Sequence, residues 1–473
     1  MHRLLVILFA CFPFKASHGE SLSIINANLI DGTGAAARHT SINIRNGEIV
    51  SLGAPAPGDA RVLDVQGAVV IPGLIDSHVH LQSVPGAVFR KDDAQTRRSL
   101  MHRHLRAYVA NGVTTVLDAA IASSAIREIR DHLANGGVGP RVMALGPTFH
   151  NPGGYMDGHL LSDYWGPRWR ASATPADVDA LYREYAGIAD LVGVKVAVAF
   201  GFGGPIDVFD THTPEMRKVI RERAHSHGRP IYVHVSEDRG VDIALELDAH
   251  ALTHLVLEMP SPEILQRTRD QGLYVITTLS VLDVFTTRHR PERLDTPRVR
   301  MTVPAIELET ARNPEAWDAF LTTFIRAVSP LSPEWFASWF GDWYLSEEWI
   351  AKEMARMQDI LMAHHEAGIP VVVGTDGGSW PHFLNLFHGP STLREMELMV
   401  EAGMTTAEVL RAATLTAAEM MGIDDIVGTV EVGKQADMIV VHGDPLEDLS
   451  VLEDLEWVIK GGEIRRPEQW MNE

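Results

Sequence analysis

Cysteine is almost absent: the 473 residues contain one, Cys11, inside an apolar amino-terminal run. A chain with one thiol forms no internal disulfide, and any metal bound further along must be held by nitrogen and oxygen. Positive charge is also in deficit. With 41 Lys and Arg against 62 Asp and Glu the formal net charge is −21, which argues against nucleic acid as a partner and for a soluble protein. Long apolar stretches are missing too. The run from Leu4 to Phe14 is too short to span a membrane as a helix, and no later stretch is long and apolar enough.

What is present begins with MHRLLVILFACFPFKASHGE, a basic start, an apolar core and a small, polar exit. This pattern predicts a signal peptide over residues 1–19, cleaved between Ala16 and Glu20, and a secreted or periplasmic protein with no membrane insertion after cleavage. The 473 residues are 45% hydrophobic, ordinary for a globular protein, and enough for one large domain and a smaller one.

From Ser21 to Val70, short alternating runs are separated by Asp-Gly and Asn-Gly turns, and the same signal returns in GTVEVGKQADMIVVHG and LEWVIKGGEIR. Two strand-rich ends around a helix-rich middle predict a small β-sandwich domain from residues 20–70 and 428–473. Between them, eight apolar runs alternate with helix-like segments: VVIPGLIDSHVH, TTVLDAA, RVMALGP, GVKVAVA, IYVHVSE, ALTHLV, YVITTLS and VVVGTDG. Such alternation predicts an α/β fold, a closed (β/α)8 TIM-like barrel over residues 71–427, with reactive groups at the C-terminal strand ends. Two connections, 148–173 and 281–347, leave strand C-termini and are too long for simple loops, so they are expected over the mouth as walls or a lid. The second holds Trp317, and Trp335, Trp339 and Trp343 at helical spacing; that stripe either packs on the domain or a second subunit, as in a homo-oligomer, or touches substrate.

The chemistry centres on VVIPGLIDSHVHL. Alternate side chains of a strand share a face, so His78 and His80 can grip one cation. Among 22 histidines an H-x-H pair alone is weak, and it recurs at His102/His104 and His225/His227, where the context is helical and charged. Position singles out the first pair: Lys195, His234, His254 and Asp376 occupy apolar runs of later strands, where polar groups are costly without a partner. Lys195 lies among valines in GVKVAVA. Either it pairs with Asp118 or Asp376, or burial favours its neutral amine, which carbon dioxide converts into a carbamate able to bridge two cations. His78, His80 and Asp376 on one ion, His234 and His254 on the other, and Lys195 between them make a nitrogen and oxygen shell for two divalent metal ions.

These strings, GLIDSHVHL, the strand-four lysine, IYVHV, THL, GTDGG and the tail TLTAAEMMGIDDIVGTVEVGKQADMIVVHGDPL, together resemble the amidohydrolase superfamily over nearly the whole chain after the signal peptide. GGYMDGH and FHGPSTLREMELMVEAGMTTAEVLRAAT are similar to its imidazolonepropionase-like and prolidase-like branch. The resemblance implies the eightfold barrel beside a β domain, with zinc as the usual metal.

The expected chemistry is attack of metal-activated water on a small molecule's carbonyl, with Asp376 as general base. Tyr155 and His159 are either donors to the oxyanion or loop-surface groups, and Arg239 pairs either with a substrate carboxylate or in a surface ion pair. His150, Trp380, His382 and His388 are pocket-lining candidates. An amide of an N-acyl amino acid or dipeptide leads; an ester or lactone at the same site and an inactive binding module are the alternatives.

Overall fold

The structure is a computed structural model in which residues 21–155, 171–200, 207, 209–328, 341, 345–379 and 382–472 are described. The first five strands are β1 (Ser21–Leu29), β2 (Arg38–Arg45), β3 (Glu48–Leu52), β4 (Arg61–Asp64) and β5 (Val69–Pro72). Eight more follow: β6 (Leu74–Val79), β7 (Val113–Asp118), β8 (Arg141–Phe149), β9 (Leu191–Val198), β10 (Ile231–Val235), β11 (Ala251–Leu252), β12 (Tyr274–Ile276) and β13 (Val371–Val372). The chain ends with β14 (Met438–Val441), β15 (Leu455–Lys460) and β16 (Glu463–Arg465). Among the described residues no helix is long and apolar enough to cross a membrane.

β6 to β13 pair in sequence order as a parallel sheet. The sheet comes back on itself where the Ser77 amide donates to Val373, the His80 amide to Gly377 and the Asp376 amide to His78, each over 2.8 Å. The pleat sorts the side chains. Val194, Val196 and Val198 of β9 and Val233 and Val235 of β10 turn outward into the core shared with the helices. Ile75, Leu117, Leu145, Tyr232, Ile276 and Val372 turn inward and form an apolar floor with the helix Leu415–Met421. Lys195 and His234 lie on the inward-facing rows, one step further toward the C-terminal ends.

The strands of the two termini form one mixed sheet, in the order β16-β15-β14-β5-β1-β2-β3 with β4 on β1. Val70 of β5 and Met438 and Val440 of β14 point into that sheet's own core, while Val69, Ile71, Ile439 and Val441 join the core beneath the barrel helices. The run VVIPGLIDSHVH therefore serves both sheets. It divides at Pro72-Gly73, where a Cβ on Gly73 would lie 2.2 Å from Thr114 Oγ1, so only glycine admits the change of sheet there.

Three barrel strands are shorter than their apolar runs suggest. β11, β12 and β13 stop after two or three residues, which leaves His254 and Asp376 in the loops just above the sheet. For β12 the backbone supplies a reason, since Thr278 (φ 54°), two residues past its end, is left-handed; Asp376 (φ 59°), in the loop beyond β13, is left-handed too.

Candidate metal centre

The six chemistry-bearing residues of the barrel gather at one end of its interior. Nε2 of His78 and Nε2 of His80 lie 3.2 Å and 2.9 Å from the same atom, Oδ1 of Asp376. The His78 ring is 4.7 Å from that of His254, which in turn is 4.5 Å from that of His234. Lys195 is 3% exposed, and its charge is felt at His78, His234 and His254.

This donor set fits a cation. Both ring nitrogens of His78 and Oδ1 of Asp376 are buried without a hydrogen-bond partner, although the atoms approach closely. Buried lone pairs aimed at one another are costly unless something positive lies between them. Burial presses His78 down to about 4 and His234 and His254 well below the usual histidine range, so their nitrogens are available as ligands. Burial alone would raise the Asp376 carboxyl, but His78 and His80 outweigh it and hold the group well below the ordinary carboxylate range.

Burial lowers Lys195 to about 8, against the opposing pull of Asp376 and Asp118. Among the described residues it forms no ion pair, because the Asp118 carboxylate is directed elsewhere. Its Oδ2 accepts from the Leu81 amide at 2.7 Å and its Oδ1 from the Ala120 amide at 3.0 Å. Asp118 thus anchors the chain just beyond His80.

Two further carboxylates hold the backbone that carries candidate ligands, and sequence reasoning missed both. Asp76, fully buried on β6, accepts from Thr375 Oγ1 at 2.8 Å, Thr392 Oγ1 at 2.9 Å and the Thr375 amide at 3.1 Å, tying the first strand to the turn that carries Asp376. Glu395, on the helix Pro390–Ala402, accepts four hydrogen bonds from Thr277, Leu279 and Ser280, at 2.5 to 2.8 Å. Those bonds brace left-handed Thr278, whose hydroxyl lies 2.9 Å from Nδ1 of His254 and leaves Nε2 for the cavity. The only signal in the sequence was a carboxylate in an apolar context, Asp76 in GLIDSH and Glu395 in LREMELMV.

The substrate candidates fare unevenly. Tyr155 reaches the site and stacks on His234, ring centroids 4.3 Å apart. Arg239 does not: its guanidinium binds the Asp207 carboxylate at 2.9 Å and covers the Phe200 ring at 3.8 Å, a half-exposed surface ion pair. His388 is 2% exposed, with Nε2 2.9 Å from the Ser83 carbonyl and Nδ1 3.0 Å from Tyr108 Oη, so neither nitrogen is left for a substrate. His150 is fully buried after β8, and its carbonyl accepts from the Ser172 amide at 2.9 Å. His382 is buried against Phe89, ring centroids 5.7 Å apart. Trp317 is buried, donating to the Ala311 carbonyl at 2.8 Å, and packs in an apolar cluster with Phe285, Phe320 and Phe383. His159, Trp380 and the stripe Trp335, Trp339 and Trp343 lie outside the described residues.

Comparison with known proteins extends this picture. The amidohydrolase family matches residues 69–465. The chain is 24% identical to an ochratoxinase of Aspergillus niger, over 94% of this chain and 86% of that protein. A shorter match, 40% identical over 96 residues, is to an N-acyl-D-aspartate deacylase of Alcaligenes xylosoxydans xylosoxydans and covers 20% of this chain and 16% of that one. Among solved structures, a Xaa-Pro dipeptidase with methionine bound in its active site superposes with a TM-score of 0.70 at 24% identity, covering 94% of this chain and 100% of the other.

Proposed function

The chain belongs to the amidohydrolase family, and on that premise we propose that it is a secreted or periplasmic enzyme with two divalent metal ions that cuts the amide bond of an N-acyl amino acid or a dipeptide-like molecule. It is a hydrolase acting on carbon–nitrogen bonds. The observation that carries the proposal is the convergence of His78, His80 and Asp376, whose ligand atoms all lie within 4.8 Å of one another, with His234, His254 and Lys195 beside them. The substrate class is supported by the relatives that act on N-acyl-D-aspartate and on Xaa-Pro dipeptides. The basic start and apolar core before Ser21 support export, which amino-terminal sequencing of the mature protein tests.

His78, His80 and Asp376 would hold one cation and His234 and His254 the other, with zinc the metal we propose. Lys195 would join them after its neutral amine attacks carbon dioxide, forming an N–C bond and releasing one proton. Divalent cations bound there supply Lewis acidity, which brings the pKa of water toward neutrality and polarises a carbonyl. The remaining work belongs to side chains. Asp376 accepts the proton from the attacking water on its carboxylate and returns it to the leaving nitrogen, so that an amine rather than an amide anion departs. Tyr155, packed on His234, would cover that side of the candidate site.

A screen of zinc-loaded protein against N-acyl amino acids and dipeptides, each matched with its ester analogue, tests the proposal. Amide turnover is the expected result. Cleavage of esters or lactones alone contradicts the assigned substrate class.

A further inference from the structure

Behind the turn that carries Asp376 lies a buried polar chain that the proposed reaction does not use. Glu307, on the helix Ala305–Arg312 of the long segment after β12, is 1% exposed, and its Oε1 lies 2.7 Å from Nε2 of His104. His104, on the helix Ala94–Ala110, stacks on His388 with ring centroids 4.3 Å apart and planes 28° from parallel. The tautomer of His388 follows from its partners. The Ser83 carbonyl can only accept, so Nε2 carries the proton, and in a neutral ring Nδ1 then accepts from Tyr108 Oη.

The His388 ring lies against the backbone of two ligand-bearing loops. A Cβ on Gly378 would be 2.3 Å from His388 Cε1 and 2.8 Å from the His80 carbonyl oxygen, and one on Gly377 would be 2.9 Å from Tyr108 Oη. Gly377 accepts from the His80 amide at 2.8 Å, and the Ser83 amide donates to the His80 carbonyl at 2.9 Å. His388 therefore contacts the loop that follows His80 and the turn that follows Asp376. The helix of Glu307 also meets the short helix Ala87–Arg90 beyond the first loop, where Thr310 Oγ1 accepts from Arg90 at 3.2 Å.

We infer that Glu307, His104 and His388 form an internal strut by which the segment after the seventh barrel strand fixes the separation of His80 and Asp376, making His388 and Tyr108 positioning residues for the reaction. The inference rests on reading Asp376 as the proton acceptor. It also gives part of the segment 281–347 a supporting role behind the site.

Steady-state kinetics on the best amide of the screen, with visible absorption of cobalt(II)-loaded protein as a readout independent of turnover, provides the test. Tyr108→Phe removes one oxygen and is expected to fold; it should lower kcat about tenfold with KM within about twofold, and change the cobalt absorption. His388→Leu should lower kcat further, and His388→Gln, which keeps an amide donor for Ser83, should recover part of the loss. Tyr108→Phe and His388→Gln with wild-type kcat and cobalt spectra would overturn the strut, as would a lowered melting temperature with both unchanged. Asp376→Asn in the same assay separates the two ideas. An inactive Asp376→Asn beside a fully active Tyr108→Phe defeats the strut alone, whereas a fully active Asp376→Asn defeats the reading on which it rests.

Discussion

Asp376 and His78 meet twice: the Asp376 amide donates to the His78 carbonyl over 2.8 Å, and Oδ1 of Asp376 lies 3.2 Å from Nε2 of His78. The first contact holds the left-handed backbone that the second requires, so the first and last barrel strands deliver their side chains as one unit. Asp376→Asn keeps the shape and removes the proton acceptor. Its kcat should fall by about a thousandfold, within the range of general acid–base catalysis, with KM little changed.

Lys195 is buried beside the candidate ligands, and Asp118 is engaged with backbone amides. Lys195→Ala should therefore lose bound metal, which elemental analysis of the purified protein measures, while its far-ultraviolet circular dichroism stays that of the wild type. Unchanged metal content would remove Lys195 from the centre.

Glu395 accepts two hydrogen bonds on each carboxylate oxygen. In Glu395→Gln an amide group faces two donors that it cannot accept. The expected loss of stability in urea denaturation is about 1–3 kcal/mol, the cost of buried donors left unpaired. Activity should fall with it, since Thr278 would no longer be braced against His254.

Burial pushes the Glu307 carboxyl up to about 8 from an ordinary value of 4.5, because His388, Arg90 and Arg103 pull it down too weakly and Asp92 pushes it up. A raised folded value contributes stability that is fully present below pH 4.5 and is lost as pH rises toward about 8, where the unfolded chain has already released its proton. The neighbouring His104 is pressed down to about 3 and acts in the opposite sense below its ordinary 6.5, in both wild type and Glu307→Gln. Melting curves across pH 4.5 to 8 should show the wild type losing stability relative to Glu307→Gln, and parallel curves would refute the assignment.

The candidate ligands could be picked out in the sequence because each is a polar residue in an apolar run near a strand's C-terminal end, a placement with few structural uses. The division at Pro72-Gly73 could not, since VVIPGLIDSHVH reads as one barrel strand whereas its first four residues pair in the terminal sheet. The supports stayed hidden as well. Glu307 contacts His104 from 203 residues away, Tyr108 meets His388 across 280, and Glu395 reaches Ser280 across 115. No local periodicity records such pairings, and His104 within a charged helix reads as surface. For Arg239 the sequence offered a substrate carboxylate or a surface ion pair, and only the fold names the partner, Asp207, 32 positions away.

Metal stoichiometry measured together with turnover tests the centre most directly. Protein treated exhaustively with a chelator should lose amide hydrolysis and regain it as zinc is titrated back, with the rise ending at two equivalents per chain if both sites fill. Undiminished turnover in metal-free protein would contradict the account.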